Sequence, residues 1–296
     1  MSSAPPPAPP ALTAPPPERP ELPDGVEPTP LIPRWKPSGV FYAFALGLAG
    51  TLIGALIISV IAVALGADAD NLPPGVNIGL TIVQDAAFIC AALFVARTVA
   101  RPAPWHFGLR GTRVGPFIGW IVVSFLAFSI FGAVYSEVVG IGSQEDLPDE
   151  LGADNGTIAL IAAAFLVTVV APVAEEFFFR GYVFGALRNW KGVWVGAVLT
   201  GTIFGAIHLG SAPDVLYLPL LAVFGFILCL LYVKTGSIYP CIVLHAINNS
   251  VAFAGTREGW DWEIAVLLAG SLSAIALFGL AMRRLGGRPP ALLPSR

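Results

Sequence analysis

A chain of 296 residues that is 56% hydrophobic and only 12% charged, with a mean hydropathy of +0.78, cannot be an ordinary water-soluble domain, in which about a quarter of the residues are charged. The formal charge of -3 suggests no nucleic-acid partner, and in such a chain the placement of charge matters more than its sum. Three cysteines, Cys90, Cys229 and Cys241, each in an apolar segment and without metal-ligand spacing, exclude a disulfide framework and read as small apolar fillers.

Residues 1–36 are rich in Pro, Ala and acidic side chains, a composition that favours extended, solvated chain, and they read as a disordered cytoplasmic tail. No basic start followed by an early apolar core marks a secretory signal, so the first membrane helix is expected to serve for targeting. From Val40 onward eight apolar stretches follow, roughly 40–65, 76–99, 115–140, 157–179, 192–209, 214–233, 237–254 and 263–284. At about 20 residues each they are long enough to cross a bilayer, and helices must do the crossing because backbone polar groups in lipid need internal partners. The predicted fold is all-α, a polytopic bundle of about eight transmembrane helices. Residues 37–156 hold the first three, 157–255 a core of four, and 256–296 the last with a short basic tail.

Charges alternate between the connections. Arg34 and Lys36 precede the first stretch and Asp68 and Asp70 follow it; Arg97, Arg101, Arg110 and Arg113 precede the third, and Glu145, Asp146, Asp149, Glu150 and Asp154 follow it. Arg188, Lys191, Lys234, Arg283, Arg284 and Arg288 continue the basic side, and only Arg257 is out of place. The positive-inside rule then puts both termini in the cytoplasm, with the inner or plasma membrane as the expected location. Gly50 with Gly54 and Gly201 with Gly205 have the four-residue spacing that permits close helix contact in lipid. No long internal repeat suggests a transporter of two related halves.

Within the predicted spans the strongly polar side chains are few: Gln84 and Asp85, Glu175, Glu176 and Arg180, His208, and His245, Asn248 and Asn249. Charges at a helix centre in lipid cost roughly 2.5–3.5 kcal/mol each, so the group at 175–180 requires a reason. Glu176 and Arg180 are four apart with the acid first, the favourable order for an ion pair. Glu175 diverges from that face by about 100 degrees. Phe204 and His208 share one helix face, with Phe204 read as packing, and His245 and Asn249 share another. Should these helices pack together, one carboxylate, two imidazoles and an amide meet in a pocket. A buried carboxylate aided by an imidazole can take a proton from water and return it to a leaving amine, while an amide and a second imidazole can donate to an oxyanion. No serine or cysteine has a comparable base nearby, so water is the expected nucleophile. Asp85 with Gln84 reads as a satisfied polar patch, and His106 as an interfacial residue near headgroups.

Glu175-Glu176-x-x-x-Arg180, Phe204-x-x-x-His208 and His245-x-x-x-Asn249, in order on successive apolar stretches, resemble the CPBP intramembrane proteases, a group that includes the type II CAAX prenyl endopeptidases and bacterial relatives linked to bacteriocin processing and self-immunity. The resemblance covers about residues 157–255. It implies that Glu175 activates water with His208, that His245 and Asn249 stabilise the oxyanion, and that Glu176 and Arg180 support them. The expected partners are the bilayer and a membrane-associated protein or peptide substrate. No cofactor is certain: the reading taken is metal-free, with zinc held by His208, His245 and Glu175 as the alternative, although the compact His-Glu-x-x-His arrangement is lacking. Two other function classes are compatible with the cluster, a non-catalytic immunity or scaffold protein and an ion-coupled transporter with Glu175 as its proton site.

One difficulty is depth. Straight, full-length fourth and fifth helices would keep Glu175 and His208 apart. Two devices can bring them together: a kink at Pro172, or burial of residues 181–191 inside the bundle.

Overall fold

The computed structural model describes residues 33–68, 72–140, 151–209, 215–257 and 259–285. The chain divides into Met1–Leu31 and Ile32–Arg296, and the first unit, with the Pro-rich tail, lies outside the described residues. So do Asp70, Glu145, Asp146, Asp149, Glu150, Asp214 and Arg288.

All regular secondary structure among the described residues is helical. Helix α1 (Pro37–Ala64) starts with Pro at its first turn, where a missing N–H costs nothing, and α2 (Pro74–Arg97) starts likewise. A short 3₁₀ turn (Pro104–Phe107) leads to α3 (Val114–Val139). The central run begins with α4 (Thr157–Phe165), widens into a π segment (Leu166–Val170), tightens into α5 (Ala171–Glu176), widens again (Phe177–Val183) and continues as α6 (Phe184–Ala206). Helices α7 (Tyr217–Thr235), α8 (Tyr239–Gly255) and α9 (Glu263–Leu285) complete the bundle. All eight apolar stretches are thus helical. Six helical runs among the described residues are long and apolar enough to cross a membrane, and Thr157–Ala206 is the most buried of them. That run counts once although it reverses within itself, and α8, at 17 residues, is short.

Helices α1 and α2 meet through small residues. A Cβ added at Gly54 would stand 2.3 Å from Val83 Cγ1, and one at Gly50 would stand 3.0 Å from Ala87 Cβ. Contacts of α6 with α7 are closer to the backbone, with virtual Cβ atoms of Gly201 and Gly205 each 2.5 Å from a carbonyl oxygen, of Ala222 and Leu218. In lipid, where no hydrophobic effect drives helices together, such close approach supplies the packing. Replacing Gly201 by Val forces α7 outward and is expected to lower stability by about 1–3 kcal/mol or more. Denaturant titration in detergent checks this against Gly115→Val, whose added Cβ meets nothing within 4 Å. The outward faces of α1 and α3 carry exposed Leu52, Leu56, Ile118 and Ile130, as lipid-facing surfaces require.

The depth difficulty is removed by the burial of 181–187, the greater part of 181–191, inside the bundle. Residues 181–187 are all buried, so the fourth helix does not end at 179 but runs on through the core. The chain reverses at Gly192, whose φ of 80° and ψ of 178° suit a residue without Cβ. The two legs pack closely: a Cβ on Gly196 would stand 2.9 Å from Arg188 N, and the Phe179 and Phe204 rings lie 5.1 Å apart. Glu175 is 17 residues before the reversal and His208 16 after it, distances of about 26 and 24 Å at 1.5 Å per residue. The hairpin therefore returns His208 to the level of Glu175.

Several other expectations change. Of residues 33–36, assigned to the tail from sequence, Pro33 and Trp35 are buried: Trp35 packs against Phe107 and Tyr182, and Asn189 Nδ2 donates to Pro33 O at 2.9 Å. His106, expected near the headgroups, is only 4% exposed, with Ala103 N–H donating to its Nδ1 at 3.1 Å. Burial pushes its imidazole below the ordinary value, because the charged form loses hydration there. Cys229 and Cys241 are buried fillers, whereas Cys90 lies on the outer surface. Arg257, out of place by charge, is paired with Asp154 at 2.6 Å.

Candidate active site

The buried heart of the site is an ion pair with an imidazole attached. Glu176 and Arg180 are both wholly buried, and Arg180 Nη1 donates to Glu176 Oε1 at 2.9 Å. The four-residue spacing survives the widened helix between them. Arg180 Nη2 donates to Gly225 O on α7 at 3.1 Å, and the guanidinium carbon stands 4.8 Å from the centroid of Phe204. Phe204 thus does pack, and what it packs against is the arginine, with the His245 ring 5.9 Å away at a steep angle. A charge enclosed among aromatic faces retains favourable electrostatics that hydrocarbon alone would deny it.

His245 Nδ1 lies 2.8 Å from Glu176 Oε1. That carboxylate already accepts from Arg180, so the contact requires a proton on Nδ1. Sequence reading missed this bond, since it paired Glu176 with Arg180 alone. Nε2, on the opposite edge of the ring, is 3.9 Å from Glu175 Oε2. His245 therefore connects the paired carboxylate to the unpaired one.

Glu175 differs from its neighbour. Its side chain is 22% exposed, and its Oε2 is enclosed without a hydrogen-bond partner. It lines a cavity of about 640 Å³ together with His208, His245 and Asn249, the four residues picked out by the sequence. Apolar side chains such as Leu166, Leu221 and Phe224 make up much of the remaining wall. His208 Nδ1 is 2.8 Å from Phe204 O, and since a carbonyl only accepts, Nδ1 carries the proton of that bond. Asn249 Nδ2 donates to Val167 O at 3.0 Å. Pro172 has no N–H, so the turn before it has carbonyls lacking an intrahelical donor, and Asn249 supplies one. The proline leaves an acceptor that orients the amide.

A further wall comes from α2, through Asn77, Thr81 and Gln84. Glu175 also lines a second, smaller cavity of about 50 Å³ shared with Gln84 and Asp85. Asp85 is not the satisfied patch expected, for it is only 9% exposed and its Oδ2 has no partner. Gln84-Asp85 inside an otherwise apolar span was the available signal. Among the described residues no group of three His, Cys, Asp or Glu side chains is placed to hold a metal ion.

Residues 157–251 match the family profile described as type II CAAX prenyl endopeptidase Rce1-like. Among curated proteins, the chain is 28% identical over 167 residues to "Putative membrane peptidase YdiL" of Bacillus subtilis, covering 54% of this chain and 66% of that protein, just under two thirds. It is 26% identical over 160 residues to an uncharacterized 24.3 kDa protein of Escherichia coli, covering 53% and 70%. To the uncharacterized YyaK of Bacillus subtilis it is 34% identical over 101 residues, covering 31% and 32%. No solved structure matches significantly.

Proposed function

We propose, from the match of residues 157–251 to the type II CAAX prenyl endopeptidase Rce1-like profile and the likeness to a putative membrane peptidase, that this chain is an intramembrane endopeptidase of the CPBP kind that hydrolyses a peptide bond in a membrane-associated protein or peptide. The observation that carries this reading is the meeting of Glu175, His208, His245 and Asn249 around one largely apolar cavity. The bundle crosses the membrane eight times, counting both legs of the Gly192 hairpin and α8, with both termini cytoplasmic.

In the proposed reaction a water bound beside Glu175 gives up a proton to its carboxylate and attacks the scissile carbonyl. His208, its ring oriented by the Nδ1–H bond to Phe204 O, borders the same cavity and helps to keep that water aimed. Asn249 presents its amide to the developing oxyanion, held in place by Val167 O. His245 presents Nε2 when doubly protonated, its Nδ1–H being held by Glu176. The proton on Glu175 then passes to the leaving nitrogen, which completes hydrolysis without a covalent intermediate. Apolar walls suit a lipid-embedded or unwound apolar segment of substrate.

The test is a proteomic comparison of membranes carrying the wild-type protein or Glu175→Gln, searching for a peptide end that disappears in the variant. Identical peptide ends in both would defeat the proposal. On the metal-free reading, cleavage by the purified protein is expected to persist after exhaustive chelation. Loss of activity on chelation, restored by added zinc, would reverse that assignment.

A further inference from the structure

Helix α2 gives the larger cavity a polar wall that the proposed hydrolysis does not use. Asn77, Leu80, Thr81 and Gln84 line it, and steps of three, four and seven residues from Asn77 put all four on one helix face. Val83 and Ala87 take the close contacts with Gly54 and Gly50 of α1, which leaves this face to the cavity. Gln84 is exposed there, and Thr81 Oγ1, which donates to Asn77 O at 3.1 Å, keeps its lone pairs. Gln84 and Glu175 border both cavities, so the polar face ends beside the proposed base. Asn248 and Thr256 add further polar groups from α8. Helix α2 lies before the residues that match the family profile, so this wall belongs to the part of the chain outside that likeness.

We propose that this face of α2 is a substrate subsite, in which Asn77, Thr81 and Gln84 hydrogen-bond the main chain of an extended apolar segment beside the scissile bond. The inference rests on the endopeptidase reading for the identity of the occupant. A helical segment must unwind before one of its peptide bonds can reach Glu175, and each unwound residue then presents an N–H and a C=O that lipid cannot satisfy. The polar face supplies the missing partners. A carboxamide both donates and accepts, so Asn77 and Gln84 can meet either group, and the threonine oxygen accepts an N–H. From Asn77 to Gln84 the helix rises about 10.5 Å, the length of about three residues of extended chain. Bonds to the main chain give affinity without reading sequence, while Leu166, Leu221 and Phe224 offer apolar surface to the side chains. The substrate class that fits is an apolar segment weakened as a helix near the cut, for example by glycine, because an intact helix has already paired its own backbone.

Peptide binding to the full-length Glu175→Gln protein in lipid vesicles tests the subsite without cleavage. The probe is a fluorophore-labelled transmembrane peptide of Leu and Ala with Lys ends and a central Gly-Gly. One companion carries Leu-Leu in place of Gly-Gly, and another has esters in place of the central amides, which removes their N–H donors. The Gly-Gly peptide should bind more tightly than the Leu-Leu peptide, and Asn77→Leu or Gln84→Leu should each weaken it by about 5- to 10-fold, the effect of one lost hydrogen bond. Against the ester peptide the same substitutions should cost less than about 2-fold, a difference that a merely structural role for α2 would not produce. No binding of the Gly-Gly peptide, equal binding of the Leu-Leu peptide, unchanged affinity in both variants, or equal losses with amide and ester probes overturns the proposal. Should the Leu variants misfold, Thr81→Val and Gln84→Met take the same comparison. If the binding pattern holds while the wild type releases no peptide ends, the endopeptidase reading fails and the subsite stands; cleavage by the wild type without that pattern has the reverse meaning.

Discussion

A purified Glu175→Gln protein is expected to fold as the wild type does and to cleave its substrate about 10²- to 10⁴-fold more slowly, the range over which a positioned general base contributes. The separation of folding from activity follows from the surroundings of this one carboxylate. Its Oε2 receives no hydrogen bond, and its side chain borders two cavities rather than a packed interface. Glutamine keeps the volume and loses the proton acceptor. A thermal unfolding curve unchanged from wild type, together with loss of peptide release, is the expected pair of results. Wild-type cleavage by the variant would mean that the water is activated elsewhere, and unfolding of the variant would mean that Glu175 holds the bundle together.

Arg180→Ala should give the opposite balance. Removing the guanidinium strands the wholly buried Glu176, and breaking one half of a buried ion pair costs about 3–5 kcal/mol. The loss spreads further, because Arg180 also donates to Gly225 O and stands over Phe204, which packs near His245. Glu176, without its cation, no longer anchors His245 Nδ1 with a fixed charge. Unfolding titrations in detergent should therefore show a large destabilisation, accompanied by loss of cleavage in whatever fraction stays folded. Glu176→Gln with Arg180 intact leaves a buried cation and should be comparably damaging, whereas changing both to apolar residues of similar volume should restore much of the stability and none of the activity. A single substitution that leaves stability unchanged would show that the pair is solvated.

Much of the architecture was legible in residue order, for a reason specific to lipid. A helix in hydrocarbon satisfies its own backbone, so a sufficiently long apolar stretch is already a structural statement, and each of the eight stretches from Val40 onward is helical. The scarcity of polar side chains in those stretches made each of them informative. Glu175, His208, His245 and Asn249 could be selected from sequence because intramembrane polarity needs a partner, and residues four apart share a helix face. The same rule paired Glu176 with Arg180. It also carried the sequence reading as far as local geometry reaches.

What lay beyond that reach depended on contacts between distant segments. The reversal at Gly192 turns on a single backbone conformation, and its effect, bringing His208 level with Glu175, exists only when both legs are packed. The bond from His245 to Glu176 joins residues 69 apart, so no helical spacing could announce it. Pro172 looked like a kink, and acts by leaving a carbonyl turn to which Asn249 donates. Asp85 looked satisfied, and its isolation became visible only where α2 meets α5 across a small chamber. Sequence by itself determined which segments are helical in lipid and which side chains are too polar to be there without purpose, because both follow from local solvation. Only tertiary structure decided what else binds the paired carboxylate, which cavities the unpaired one borders and what stands beside it, because those depend on how the chain folds back upon itself.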